Sequence, residues 1–151
     1  MKRMSALFLL IVLIFSSSPQ ASATERENIV WHQESTLQNG MTIIDEVIYN
    51  SLTRSSTKDH TRRKTITNGD GVIIAVISVR GVFRYDGNTV SVVSKSVTQA
   101  DTYEGWNYKQ NSLTSSGGTI ALDAKLTKLL VASIPVDMTL SCDKDGNISY
   151  T

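Results

Sequence analysis

The stretch VISVRGVFRYDGNTVSVVS, Val76 to Ser94, decides the fold. Asp86-Gly87 interrupts two runs dense in Val, Ile, Phe and Tyr, and an Asp-Gly pair accepts the positive φ of a type I′ turn, whose twist matches the strands it joins. A two-residue loop at Asp86-Gly87 predicts that Tyr85 pairs with Asn88, Phe83 with Val90 and Gly81 with Val92. Side chains alternate along a strand, so Val79, Phe83, Tyr85, Val90 and Val92 share one face, and Arg80, Arg84, Thr89 and Ser91 share the other. This is an antiparallel hairpin with one apolar and one wet face. Immediately upstream, Val72 to Ile77 is apolar on both faces, which predicts a central strand covered on each side.

The same punctuation recurs outward from this hairpin. Asn39-Gly40, Asn68-Gly69-Asp70-Gly71, Ser115-Ser116-Gly117-Gly118 and Asp145-Gly146 separate stretches rich in Val, Ile, Thr and Tyr. Strand and turn units repeated through a whole domain predict an all-β fold, a mostly antiparallel β-sandwich over residues 39–151. Met41 to Leu52 alternates around Ile43, Val47 and Tyr49; Thr119 to Leu126 places Ile120, Leu122 and Ala124 on one side; Ile134 to Cys142 does the same with Val136, Met138 and Leu140. Lys125 to Ala132 fits one helical turn or two strands meeting at a bend, and its neighbours favour strands. Residues 24–38 are polar and read as a loosely held N-terminal arm.

Residues 1–23 read as a signal peptide. Lys2 and Arg3 precede an apolar run from Ala6 to Phe15, about half the roughly 20 residues a membrane span needs, and Ala21-Ser22-Ala23 supplies small residues for cleavage after Ala23. Removing Lys2 and Arg3 from 15 basic side chains leaves 13 against 14 acidic ones, so the formal net charge passes from +1 to −1. A nearly neutral domain lacks the basic surplus that draws proteins to nucleic acid. The one basic cluster, Lys58, His60, Arg62, Arg63 and Lys64, reads first as a solvated strand and second as an anion patch. Cys142 is the only cysteine, so no intrachain disulfide forms. Free secretion into the extracellular medium, by a bacterium whose exported proteins are poor in cysteine, fits these features.

The terminal DKDGNISYT, Asp143 to Thr151, offers either a calcium loop or a turn. Asp143, Asp145 and Asn147 occupy positions 1, 3 and 5 of an EF-hand loop, but position 6 holds Ile148 where a Gly is required, and the bidentate Glu of position 12 has no counterpart. A hairpin at Asp145-Gly146 is therefore the preferred reading, pairing Cys142 with Ser149 and Leu140 with Thr151. The three oxygen donors remain candidates for a surface metal site.

FRYDG, a Trp about twenty residues later at Trp106, SGGTIALDA and LSCDKDGNIS together resemble a group of short uncharacterised secreted proteins from Gram-positive bacteria. That group shares an aromatic-Tyr-Asp-Gly hairpin, a central Trp and a terminal Leu-x-Cys-Asp-x-x-Gly-Asn stretch. The resemblance spans Ile66 to the end of the chain and implies secretion and a β-sandwich. It implies no activity and no site residue.

Enzymatic constellations are absent from the pattern. Cys142 with His60 or His32 would make a thiol and base, yet a lone Cys between Leu140 and a hairpin is ordinarily a small core residue. Two histidines without ligand spacing make no zinc site, and neither a nucleophile elbow nor a phosphate-cradling glycine loop is present. No catalytic residue is assigned. Tyr103, Trp106 and Tyr108, with Asn107 and Gln110, combine flat apolar rings and amides as a glycan or peptide site does; the competing role for Trp106 is a plug in the sandwich core. Gly105 reads as a bulge that turns Tyr103 outward. The sequence thus predicts a secreted, monomeric, non-enzymatic binding or interaction module that needs no cofactor. Its expected partner is a cell-wall glycan or a protein, with no nucleic acid and no membrane contact beyond the leader. The alternatives are a secreted antimicrobial or membrane-active toxin, disfavoured by neutral charge, and a hydrolase, for which no converging acids are evident.

Overall fold

The computed structural model describes residues 28–37, 39–50, 56–129 and 132–151; the leader assigned to residues 1–23 lies outside them. Nine strands follow in order: β1 (Asn28–Thr36), β2 (Thr42–Tyr49), β3 (Thr57–Thr67), β4 (Ile73–Tyr85), β5 (Val90–Thr102), β6 (Asn107–Ser116), β7 (Thr119–Lys128), β8 (Ala132–Cys142) and β9 (Ile148–Tyr150). They form a five-stranded sheet, β1-β2-β3-β4-β5, and a four-stranded sheet, β6-β7-β8-β9, antiparallel throughout. The two sheets pack against each other as a β-sandwich. Each is a meander in sequence order, and the β5–β6 connection carries the chain from one to the other.

Alternation explains the core. Ile120, Leu122, Ala124 and Leu126 of β7 and Ile134, Val136, Met138 and Leu140 of β8 all point inward, against Phe83, Ile77 and Ile66 of the other sheet. The strand pattern expected for these segments holds, and Lys125 to Ala132 is strand at both described ends. β4 and β5 carry the hairpin predicted from residues 76–94, with the predicted faces: Val79 and Phe83 are buried, Tyr85, Val90 and Val92 pack on the core, and Arg80 and Arg84 face solvent. At Gly81 the sheets approach closely, since a Cβ there would stand 2.5 Å from Ile120 Cδ1 and 2.9 Å from the Phe83 ring.

Several expectations are corrected in detail. Tyr85 pairs with Val90 and Phe83 with Val92, so the central turn residues are Gly87-Asn88. The Asp86 carboxylate is the reason: its Oδ1 accepts from Asn88 N (2.9 Å) and Thr89 N (2.7 Å), which holds Asp86 at the turn's entry. Gly87, at φ 86°, then takes the first central position, as a type II′ turn requires. The shift is two residues in pairing sum, so the faces survive. In the terminal hairpin Cys142 pairs with Ile148 and Leu140 with Tyr150, a shift of one. Gly146 (φ 84°) forms the bulged end of a longer turn in which Gly146 N donates to Asp143 O (3.1 Å) and Asp143 N to Asn147 O (3.0 Å). The Asn68–Val72 loop repeats the arrangement, with Gly71 N donating to Asn68 O (3.1 Å) and Asn68 N to Val72 O (2.9 Å).

Three further corrections concern burial and pairing. Residues 28–36, expected within a loose arm, are the edge strand β1, paired with β2 and anchored by Trp31, whose ring lies 4.3 Å from that of Tyr150 on the opposite sheet. The central strand expected at residues 72–77 is covered only from Ile74 onward; Val72 and Ile73 are exposed where the strand leaves its turn. Gly105 is not a bulge but the second central residue of a turn. Glu104 (φ 55°) and Gly105 (φ 75°) both have positive φ, and Trp106 N donates to Tyr103 O (3.1 Å), the pattern of a type I′ turn.

The basic cluster is a strand but not a solvated one. β3 is the middle strand of its sheet, so both of its faces are crowded. Arg62 reaches across the sandwich: its Nε and Nη2 bind Asp45 Oδ1 (2.9 Å) and Oδ2 (2.6 Å) on β2, while Nη1 donates to Thr139 O (2.7 Å) and Thr151 O. Lys64 Nζ donates to Asp137 O (2.6 Å) on β8. β9 is only three residues long, and these two side chains engage carbonyls of β8 at or beyond the end of β9's pairing, where a sheet edge would otherwise stand open.

Candidate binding site

The aromatic residues singled out in the sequence do not assemble into one surface. Trp106 is 6% exposed and belongs to the core, so the plug role applies and the ring is unavailable to a ligand. Tyr108 also packs on the core, and burial pushes its phenol pKa up. Tyr103 alone of the three is solvent-facing, at 49% exposed. It stands at the entry of the tight turn whose chain continues into buried Trp106.

The terminal acids serve the hairpin. Asp143 Oδ1 accepts from Asp145 N (2.9 Å) and Asn147 N (2.8 Å), and Oδ2 accepts from Asn147 Nδ2 (2.8 Å). These bonds, the Asn147 side chain foremost, hold the Asp143 carboxyl below its ordinary pKa. Asp145 meets Lys144 Nζ at 3.0 Å. Among the described residues no three His, Cys, Asp or Glu side chains are grouped to hold a metal ion.

Neither thiol pairing considered from sequence forms. Cys142 is buried, its Sγ lies 3.5 Å from Asp143 O, and burial pushes its pKa up to about 11. His32 is on the exposed face of β1, 3.4 Å from Glu46. His60 is buried with its ring 5.1 Å from Tyr49, and its Nδ1 has no hydrogen-bond partner. Burial, then the nearby Lys58 charge, push its pKa down, so the ring is neutral near pH 7.

Among the described residues a groove of about 740 Å³ lies on the outer face of the five-stranded sheet, lined by Asn50, Thr61, Arg63, Ser78, Gln99 and Asp101, among others. Its position follows from the sheet. Odd-numbered β3 residues and even-numbered β2 residues face away from the core, so Asn50, just past β2, and Thr61 and Arg63 share this surface. Both edge strands are bulged beside it: β1 between Ile29 and Trp31, and β5 between Val97 and Gln99, which pair with the consecutive β4 residues Val79 and Ser78. A bulge bends its strand and increases local twist, here leaving Thr98 unpaired on the groove wall.

Its side chains are tied together. Asn50 Nδ2 donates to Asp59 Oδ1 (2.8 Å) and Thr61 Oγ1 (2.8 Å). Ser78 Oγ donates to Gln99 Oε1 (3.2 Å), and Gln99 Nε2 to Asp101 Oδ2 (2.7 Å). Arg63 Nε and Nη2 both bind Glu46 Oε2 (3.0 and 2.8 Å), and Arg80 Nε binds Asp59 Oδ1 (2.9 Å). Burial raises the Asp59 pKa, but the bonds from Arg80 and Asn50 outweigh it, and the carboxyl stays below its ordinary value. The arrangement presents amides, hydroxyls and carboxylate oxygens held in place by one another on the sheet surface.

Sequence reasoning missed this face because its residues come from five strands and its polar members are ordinary residues of a wet strand face. The alternation of polar residues in residues 57–65 was the only signal, and it does not say that neighbouring strands align into a groove. No family model, curated protein or solved structure matches the chain.

Proposed function

We propose that the protein is a secreted, non-enzymatic binding module of a Gram-positive bacterium that holds an extended ligand, a cell-wall glycan or a protein segment, on the outer face of its five-stranded sheet. The observation that carries this reading is the polar groove itself, flanked by bulged edge strands and built from hydrogen-bonding side chains held in place by one another. Secretion rests on the leader-like residues 1–23 and on the resemblance noted above. The test is cosedimentation of the mature chain with purified Gram-positive cell walls and pull-down of culture proteins, in the wild type and in Gln99→Trp, which fills the groove. Loss of capture in a variant that melts like the wild type supports the reading; capture unaffected by Gln99→Trp contradicts it.

A second reading, a membrane-active toxin, is favoured by one observation: Val72, Ile73, Tyr103 and Leu129 (79% exposed) all lie in or beside turns at the same end of the sandwich. Dye release from lipid vesicles, abolished by Leu129→Ser, would support it.

A further inference from the structure

We propose that the groove takes an uncharged, hydroxyl-rich chain, a neutral oligosaccharide, rather than an anionic polymer; this rests on the groove being the binding face. The argument is one of charge. The guanidinium that lines the groove is already engaged, Arg63 placing Nε and Nη2 on one oxygen of Glu46, and Arg80 of the same face is held by Asp59. A phosphate or carboxylate polymer binds by recruiting free Lys and Arg and releasing counterions, and here it would have to compete with Glu46 and Asp59 for its donors. It would also meet the exposed Asp101 carboxylate, whose hydrogen bond from within the protein comes from an uncharged amide, Gln99.

Sugar hydroxyls face no such conflict. A hydroxyl both donates and accepts, so it can donate to the remaining lone pairs of Asp101 and Thr61 and accept from donors at the rim. The amides of Asn50 and Gln99 are each bonded on the protein side, which fixes their orientation before a ligand arrives and lowers the entropy lost on binding. Lining residues come from every strand of the sheet, from Asn28 of β1 to Asp101 of β5. At ~4.8 Å between strands, that is a path of ~19 Å across the sheet, room for a chain of several rings rather than a single sugar. Tyr49 is the only aromatic residue among those lining the groove, and its ring packs on His60 at 5.1 Å on the other face of the sheet, so hydrogen bonding carries more of the recognition than stacking does.

The test is calorimetric titration of the mature chain with an N-acetylglucosamine oligomer and, separately, with a glycerol-phosphate polymer. The neutral oligomer is expected to bind with affinity changed less than about twofold between ~50 and ~200 mM salt, whereas a polyanion held by two cations would lose about tenfold. Gln99→Ala and Asn50→Ala, each removing one to two hydrogen bonds, are expected to weaken the oligomer about tenfold, with melting temperatures checked in parallel. Salt-sensitive binding of the phosphate polymer in preference to the oligomer, lost in Arg63→Gln, overturns the ligand class while leaving the groove as the binding face. Absence of oligomer binding overturns it as well. Cell-wall or protein capture that survives Gln99→Trp is the separate result that removes the groove itself.

Discussion

Arg62→Met tests the tie that joins the two sheets. Arg62 is 5% and Asp45 13% exposed, and the guanidinium makes two bonds to Asp45, at 2.9 and 2.6 Å, and one of 2.7 Å to Thr139 O, besides its bond to Thr151 O. Methionine preserves most of the apolar stem but removes the guanidinium from a carboxylate and two main-chain oxygens, of which Thr151 O keeps its bond from Thr139 N (3.2 Å). Removing one partner of a buried ion pair costs about 3–5 kcal/mol. Lys64 Nζ, 3.7 Å from Asp45 Oδ2, offsets part of this, so the lower end, about 3 kcal/mol, is expected. With unfolding entropy of about 2.1 cal/mol/K per residue over on the order of 120 residues, the melting temperature falls by ~12 °C. Urea and thermal unfolding at neutral pH, followed by circular dichroism, measure both quantities. The double variant Arg62→Met/Asp45→Leu should be more stable than Arg62→Met alone, because the orphaned charge is gone. A single variant within about 0.5 kcal/mol of wild type, the range of ordinary surface substitutions, would refute the tie, and so would additivity of the two substitutions.

Other consequences are as direct. Because the folded-state pKa of His60 lies below the ordinary 6.5, its contribution to stability is complete above pH 6.5 and declines as pH falls through 6.5 toward the folded value; a pH series of urea midpoints should show this decline in the wild type and lose it in His60→Gln. Asp59, also held below its ordinary 3.8, adds a separate loss at more acid pH, abolished in Asp59→Asn. Gly118→Ala should destabilise by about 1–3 kcal/mol through overpacking, since its Cβ would press on the Cys142 carbonyl oxygen and stand 2.7 Å from a Val90 methyl; an unchanged melting temperature would show that the two sheets are not so closely opposed there. Buried Cys142, with its thiol pKa raised to about 11, should resist a disulfide reagent at pH 8 until urea unfolds the chain, and rapid labelling of the native protein would contradict its burial.

The fold was legible in the sequence wherever apolar residues alternate, because burial on one face is a period-two signal. Ile120 to Leu126 and Ile134 to Cys142 show it plainly, and the faces of the β4–β5 hairpin were assigned correctly despite a shifted turn. What escaped was local chemistry within turns and tertiary context around polar strands. Asp86 and Asp143 use their carboxylates to cap backbone N–H groups, which moves each hairpin's pairing away from what an Asp-Gly pair alone suggests. β1 looked like an arm because its residues are mostly exposed and polar, as an edge strand's are; its anchoring by Trp31 against Tyr150 joins residues more than a hundred apart in sequence. The basic strand β3 reads as solvated until one knows that it lies third of five. The groove is least legible of all, since hydroxyls and amides on a strand face carry no motif until neighbouring strands set them side by side. The tyrosine and tryptophan cluster, conspicuous in sequence, divides between core and turn.

The most direct measurement of the central claim is a map of backbone amide shifts in the isotopically labelled mature chain as solubilised cell-wall fragments are added. Shifts concentrated at Asn50, Thr61, Ser78, Gln99 and Asp101 are predicted. Shifts confined to Val72, Tyr103 and Leu129, with the outer face silent, would contradict a binding groove and transfer the interaction to the apolar end of the sandwich.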